Sequence, residues 1–361
     1  MDNITHTLVG ITLGRTPLGR AGRGTTAALV LASNLPDVDI VTAARGATAY
    51  IHWHRGPTHG PIGILGLGVL SAGLVWLWDR YDRRRRPDQP PLAPFATLAL
   101  VGIVGVLFHV LMDLPTSYGT RLLSPFDWHW YSLDWMPIID VYLLVALGAG
   151  LFFGRHSAAA KRRNAAIVLL LMAVNYGIRG VSHARALAAA PALFGPTLPD
   201  RCPGATDQPW LERWPRPPVD AVSSGRRCLA ELAAMPSFAS PFSWRIVVRM
   251  SNAYELTDAD LLALRGGAAP WRVNRRYPNI WTPAAFQAAK TDGGQVLLGF
   301  SRFAAVRAFE GRDGTTTVRF TDMRFAGGRI SPNQSSSRPD PFTLVVRIDR
   351  DGRVISEALT P

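Results

Sequence analysis

Cysteine is nearly missing from this chain: Cys202 and Cys228 are the only two in 361 residues. Without a Cys-x-x-Cys pair, cysteine-based zinc modules and thioredoxin-type redox centres are excluded. The two thiols can form one disulfide if their region faces an oxidising compartment, or stay reduced and unrelated. Lysine is also scarce. The formal net charge is +13, yet the only lysines are Lys161 and Lys290. A nucleic-acid surface more often interleaves lysines with aromatics, so nucleic acid is not an expected partner. No Gly-x-Ser-x-Gly, His-Glu-x-x-His or nucleotide-binding glycine loop occurs. Their absence argues against an elbow-type serine hydrolase, the commonest metalloprotease pattern and dinucleotide enzymes. Met1-Asp2-Asn3 lacks the basic start of a cleavable signal peptide, so the first membrane segment is expected to target the protein itself.

Apolar sequence is abundant, and it dominates up to about residue 178. Residues 61–78 carry no charge, 94–112 are interrupted only by His109, 137–153 carry Asp140, and 165–178 form a shorter fourth run. A bilayer crossing takes roughly 20 apolar residues, about 17–25. The first two runs fit, the third fits marginally, and the fourth needs its flanks or is a buried core helix. Two shorter runs, 4–13 and 25–35, read as re-entrant, interfacial or packed inside the bundle unless flanking residues lengthen them. Glycines 63–68 lie inside an apolar run, so close helix packing explains them better than phosphate binding.

Charge then sets a topology. Arg15, Arg20, Arg23, Arg80, Arg83, Arg84, Arg85, Arg86, Arg155, Lys161, Arg162 and Arg163 fall in loops 14–24, 79–93 and 154–164. The alternate loops, 36–60 and 113–136, hold only Arg45, Arg55 and Arg121. The positive-inside rule puts the first set in the cytoplasm and the second outside. The histidines and aspartates follow the same alternation. His6, Asp37, Asp39, His54, His59, His109 and Asp113 all fall toward the expected outer face. Two independent patterns therefore agree on a membrane protein with a ligand-rich outer side.

The expected fold is mainly α: a multi-pass membrane helical bundle over residues 1–180, followed by a smaller C-terminal antiparallel β-rich soluble domain. A Pro- and Ala-rich connector, 181–240, carries a helix or two and turns at 199–200 and 215–218. The β-rich region, 241–361, is expected outside the membrane if 165–178 crosses. Residues 244–250, 296–300, 315–320, 342–348 and 354–356 read as strands. Residues 258–264 read as a short helix with Thr257 as N-cap.

The chemistry lies in the His/Asp pieces. His109 and Asp113 are four apart, hence on one helix face, and an ionisable group in an apolar span is usually functional. Pro36 ends the preceding helix before Asp37 and Asp39. His54 and His59 bracket a Gly-Pro turn that can bring both rings together, with His52 nearby as a supporting or surface residue. His6 adds a donor from its own segment. Such mixed ligands suit one or two divalent ions, Zn²⁺ first and Mn²⁺ or Fe²⁺ as alternatives. Asp39 is a candidate metal bridge or proton acceptor, and Arg55 a candidate stabiliser of phosphoryl charge or partner of a ligand carboxylate.

The pieces DNITHTLVG at 2–10, NLPDVD at 34–39, HRGPTHG at 54–60 and HVLMDLPTSYGTRLL at 109–123, followed by Ser124-Pro125-Phe126, resemble the YdjM/YbcI-type inner-membrane metal-dependent hydrolases. The resemblance covers roughly residues 1–180 and implies a multi-pass membrane hydrolase. A looser similarity in ligand order links the chain to zinc-dependent phospholipases C and P1-type nucleases. Their later ligands are missing here, with His129 and His183 as the only stand-ins.

These readings converge on a metal-dependent hydrolase in the cytoplasmic membrane. Metal-activated water would attack a phospholipid or other lipid-linked phosphoester at the outer interface. Ser117, Tyr118 and Arg121 would line the headgroup entrance, and Trp128, Trp130, Tyr131 and Trp135 would form an interfacial aromatic cluster. The alternatives are a membrane metalloprotease and a non-enzymatic metal-binding scaffold or transport protein. Asp140 and Asn175, inside apolar runs, keep a transport role open.

Overall fold

Asp2 starts the first helix, α1 (Asn3–Leu13), as its N-cap: the carboxylate accepts from Thr5 N at 3.0 Å. Gly24, at φ +92, turns the chain into α2 (Thr25–Ala32), and Pro36 then tightens it into a 3-10 stretch, Leu35–Arg45. After a short helix, α3 (Ala47–Trp53), come α4 (Pro61–Asp82) and α5 (Phe95–Asp113). Pro61 at the first turn of α4 suits its fixed φ. Asp140 caps α6 (Val141–Phe152), accepting from Leu143 N at 2.8 Å, and α7 (Ala158–Phe194) follows. This computed structural model describes residues 1–153, 156–194, 198–203, 205, 209–215, 228–265, 275–326 and 340–361. Arg155 of the basic loops and residues 216–218 of the expected turn lie outside them.

Among the described residues four stretches are long and apolar enough to cross a membrane: Thr25–Arg45, Pro61–Asp82, Phe95–Asp113 and Ala158–Phe194. One expectation changes and one is met. The run at 137–153 yields a helix of only 12 residues, because the chain stays extended through capping Asp140. The run at 165–178 lies within a 37-residue helix, the longest among the described residues, so its flanks supply the length it needed. The Ala- and Arg-rich flanks of that run are strong helix formers and extend it at both ends.

Glycine lets α4 and α5 touch. A Cβ on Gly102 would lie 2.4 Å from the Gly68 carbonyl, and one on Gly68 would lie 2.6 Å from the Ile103 backbone. Dispersion and close backbone approach hold helices together where no water can be expelled. Gly102→Leu is expected to cost about 1–3 kcal/mol by overpacking, read as a lower unfolding midpoint in detergent.

The arginine loops gather at one end. Arg23 and Arg83 both pair with Asp79, the latter at 2.7 Å, and Arg23 also donates to Gln89 Oε1 at 2.8 Å. Arg15 donates to the Gly150 and Leu151 carbonyls, both at 3.0 Å, at the end of α6. Helices α1, α2, α4 and α5 therefore run between this basic end and the His/Asp end.

The chain forms two compact units, residues 1–40 with 54–181, and residues 41–53 with 182–361. The second unit contains two four-stranded antiparallel sheets. One is β1 (Leu229–Pro236), β2 (Ser243–Met250), β3 (Ala253–Asp260) and β4 (Arg275–Pro278), paired in that order. The other is β5 (Ala304–Glu310), β6 (Thr316–Asp322), β7 (Thr343–Ile348) and β8 (Val354–Thr360), also paired in order. The first sheet is buried on both faces. Trp244, Ile246 and Val248 pack with Ala186, Ala190 and Phe194, while Val247, Tyr254 and Leu256 pack with Phe303, Ala305 and Met323. Cys202 and Cys228 form a disulfide in this unit.

Two local expectations are corrected. Residues 296–300 end a helix, Asp292–Phe300, because Thr291 caps it by accepting from Gly294 N at 3.1 Å. Thr257 is no cap: it lies buried inside β3, opposite Ile246, and the helix nearby is Leu261–Arg265.

Candidate metal centre

The site is built by chain ends and turns at one end of the first unit. Asn34 links α1 and α2: its Nδ2 donates to Val30 O at 2.8 Å, and its Oδ1 accepts from Thr7 Oγ1 at 2.9 Å. Three residues on, the 3-10 turn presents Asp37. The loop after α3 folds tightly, with Arg55 at φ 51 and His59 N donating to Gly56 O at 2.9 Å. A side chain at position 60 would not fit, since a Cβ there would lie 1.8 Å from the Ser124 carbonyl. Helix α5 supplies His109 and Asp113 from one face, and α1 supplies His6.

Asp37, His59, His109 and Asp113 each offer a donor atom within 4.8 Å of all the others. His59 Nε2 lies 3.2 Å from His109 Nε2, 3.3 Å from Asp113 Oδ2 and 3.8 Å from Asp37 Oδ1. His109 Nε2 lies 3.4 Å from Asp113 Oδ2 and 3.6 Å from Asp37 Oδ1. A tetrahedron built on metal–ligand bonds of about 2.1 Å has edges of about 3.4 Å, close to these five separations. His59, His109 and Asp113 are fully buried, and Asp37 is partly exposed.

Proton positions sharpen the fit. His109 Nδ1 lies 2.8 Å from the Ser33 carbonyl, which can only accept, so Nδ1 carries the hydrogen and Nε2 is bare. His59 Nδ1 lies 3.0 Å from Thr58 Oγ1, which donates its own hydrogen to Asp39 Oδ2 at 3.1 Å, so His59 Nε2 is bare as well. Two bare nitrogens 3.2 Å apart repel each other unless a cation lies between them. Burial, reinforced by neighbouring His109, holds the His59 imidazole well below its usual pKa, which keeps it neutral and ready to donate a lone pair. Among the described residues Asp113 Oδ2 has no hydrogen-bond partner, and neither ring nitrogen of His6 has one. The His6 ring stacks on His109 with centroids 3.8 Å apart, and its Nε2 lies 3.4 Å from Asp113 Oδ1. These buried, unmatched donors fit a divalent cation.

Other sequence candidates are placed differently. His54 and Asp39 face each other, with Nδ1 to Oδ1 at 2.9 Å, and Asp39 Oδ2 also accepts from Arg55 N at 2.8 Å. Arg55 is buried. It donates to Asp113 Oδ1 at 3.0 Å, Thr116 Oγ1 at 3.1 Å and Gly119 O at 3.0 Å. It therefore orients a ligand carboxylate. Tyr118 stacks beneath Arg55, whose guanidinium carbon is 4.9 Å from the ring centroid. Arg121 lies 4.4 Å from the Trp130 ring and 4.7 Å from that of Trp128, and burial pushes its pKa down to about 10, still protonated at neutral pH. Trp130 and Tyr131 are buried packing residues, whereas Trp128 and Trp135 are partly exposed. His129 pairs with Asp127, and His183 packs on Trp244 in the second unit. The sequence reading missed Thr58, the Ser33 carbonyl and the Met1 amine, which lies against Asp113. Thr58 had a signal, since it directly precedes His59, but a backbone carbonyl has none.

Residues 1–186 match the family described as the YdjM inner membrane protein, and the chain belongs to that family. With its apolar helices of spanning length, it is a multi-pass inner-membrane protein. It is also similar to the "Uncharacterized protein YfhP" of Bacillus subtilis (strain 168), 28% identical over 154 residues. That similarity covers 40% of this chain and 44% of the relative's length. No solved structure matches.

Proposed function

We propose that this YdjM-family protein is a metal-dependent hydrolase of a phospholipid or other lipid-linked phosphoester, working at the outer membrane–water interface. One observation carries the reading: two imidazole nitrogens and two carboxylates converge in the buried end of a membrane bundle. Asp37, His59, His109 and Asp113 would hold the ion, Zn²⁺ first by donor chemistry and Mn²⁺ or Fe²⁺ as alternatives. His6 is an adjacent fifth donor. When bound, such an ion supplies water of lowered pKa and stabilises charge on a phosphoryl oxygen. The chain's own residues prepare for this. Arg55 fixes Asp113, Asp39 fixes the 54–58 loop, and partly exposed Asp37 marks the side open to a substrate.

The outward orientation rests on the arginine loops meeting at the opposite end. The Cys202–Cys228 disulfide supports an oxidising surround for the second unit. The substrate class follows from location, because a site at the end of a membrane bundle can meet a headgroup while the acyl chains stay in the bilayer. Near-complete burial of three ligands favours one second reading, a metal-binding scaffold or transport protein with no open coordination position.

The deciding measurement is metal content of detergent-purified wild type and His59→Ala, with both samples incubated with a mixed phospholipid panel. Stoichiometric metal and headgroup release in the wild type, both lost in the folded variant, are the expected results. Metal without turnover would favour the scaffold reading. A protein that takes up no metal under several loading conditions would overturn the proposal.

A further inference from the structure

We infer that Thr58 is a positioning residue that sets the tautomer of His59, with Asp39 as its anchor. The inference rests on the metal-site reading of the cluster and names the part of the loop that prepares it. A carboxylate that takes the Arg55 backbone N–H at 2.8 Å is an acceptor, and Thr58 Oγ1 lies 3.1 Å from the same oxygen. A hydroxyl has one hydrogen to give and lone pairs to receive with. Given to Asp39, that hydrogen leaves the hydroxyl free to accept from His59 Nδ1 at 3.0 Å. The imidazole then keeps its hydrogen on Nδ1 and turns a bare Nε2 toward His109, Asp113 and Asp37.

In water a neutral imidazole side chain prefers its hydrogen on Nε2, the wrong form for this cluster. Thr58 reverses that preference before any ion arrives. Asp39 and His54 also close the neck of the excursion through residues 40–53, with Nδ1 to Oδ1 at 2.9 Å. The same carboxylate thus holds both the loop and the hydroxyl. Asp39 acts through Thr58, two hydrogen bonds removed from the His59 ring.

The test compares full-length Thr58→Val, which keeps the branched shape without the hydroxyl, with Thr58→Ser, which keeps the hydroxyl. Zn²⁺ affinity is measured by competition with a chelator, and histidine ¹⁵N shifts are recorded on metal-free protein. Thr58→Val is expected to weaken Zn²⁺ binding about 10–100-fold while Thr58→Ser stays within about 3-fold of wild type. The metal-free wild type should show His59 with its hydrogen on Nδ1, assigned by the signal lost in His59→Ala, and Thr58→Val should shift it toward Nε2. Wild-type Zn²⁺ affinity in Thr58→Val, or a wild-type His59 already carrying its hydrogen on Nε2, would overturn the inference. The tautomer is read without metal and the affinity without substrate. Absence of lipid turnover would therefore count against the proposed function and leave this inference standing.

Discussion

Asp113→Ala is expected to abolish metal binding and to destabilise the bundle by about 3–5 kcal/mol, because it strands a buried charge. Asp113 has two faces. Oδ2 points at His59 and His109, and Oδ1 accepts from Arg55 at 3.0 Å. Truncation removes a ligand and also leaves the buried Arg55 guanidinium without its carboxylate. The two losses can be separated. Asp113→Ala/Arg55→Met removes both charges, and replacing a buried pair by apolar groups is often close to neutral. The double variant should recover most of the unfolding free energy and none of the metal. Chemical unfolding in detergent, run beside metal analysis, reads both. A double variant as unstable as the single would show that the remaining cost lies in the Met1 amine, which also lies against Asp113, or in the Arg55 bonds to Thr116 and Gly119. Metal retained in either variant would remove Asp113 from the ligand set.

Much of this centre was legible in the chain. The i, i+4 spacing of His109 and Asp113 places both on one helix face whatever surrounds them. The Gly-Pro turn between His54 and His59 predicted a tight loop, and a tight loop is present. Alternation of arginine-rich and His/Asp-rich loops marked the two ends of the bundle. Less legible was which donors converge and which support them. Asp37 and Asp39 differ by two residues and one intervening valine, yet in the 3-10 turn Asp37 faces the histidines while Asp39 faces the 54–58 loop. Composition cannot rank two such carboxylates, because the choice depends on the turn's pitch and on hydrogen bonds from residues 15–19 positions away. The association of residues 41–53 with the C-terminal unit was equally invisible, since short helix Ala47–Trp53 carries no pattern naming its partner. Among the strands, β2, β6, β7 and β8 stood out by runs of β-branched and aromatic residues. β3 did not, because its apolar Tyr254 and Leu256 are interleaved with Glu255 and followed by Thr257-Asp258-Ala259-Asp260, whose polarity hides the strand. The apolar run at 296–300 was ambiguous by length alone, and the Thr291 cap decides it.

A comparably large effect is expected at Asp140, which the sequence offered as a transport residue. In the fold its carboxylate caps α6 through Leu143 N and pairs with Arg179 Nε at 2.6 Å, both side chains being fully buried. Asparagine caps a helix nearly as well as aspartate, so Asp140→Asn isolates the charge. It leaves Arg179 unneutralised in an apolar bundle and is expected to cost about 3–5 kcal/mol. Asp140→Ala adds loss of the cap, about 1 kcal/mol more. Asp140→Asn/Arg179→Met should restore most of the stability, since no buried charge remains. The decisive readout is function in that double variant, measured as metal affinity and ion flux in proteoliposomes. A pair that only fastens α6 to α7 predicts unchanged affinity and, under the hydrolase reading, no flux in wild type or variant. A wild-type flux that disappears in the stable double variant would make Asp140 part of a transport path and would favour transport over hydrolysis. The geometry argues for the fastening role, because each charge finds its partner within the bundle and neither belongs to the four-donor cluster.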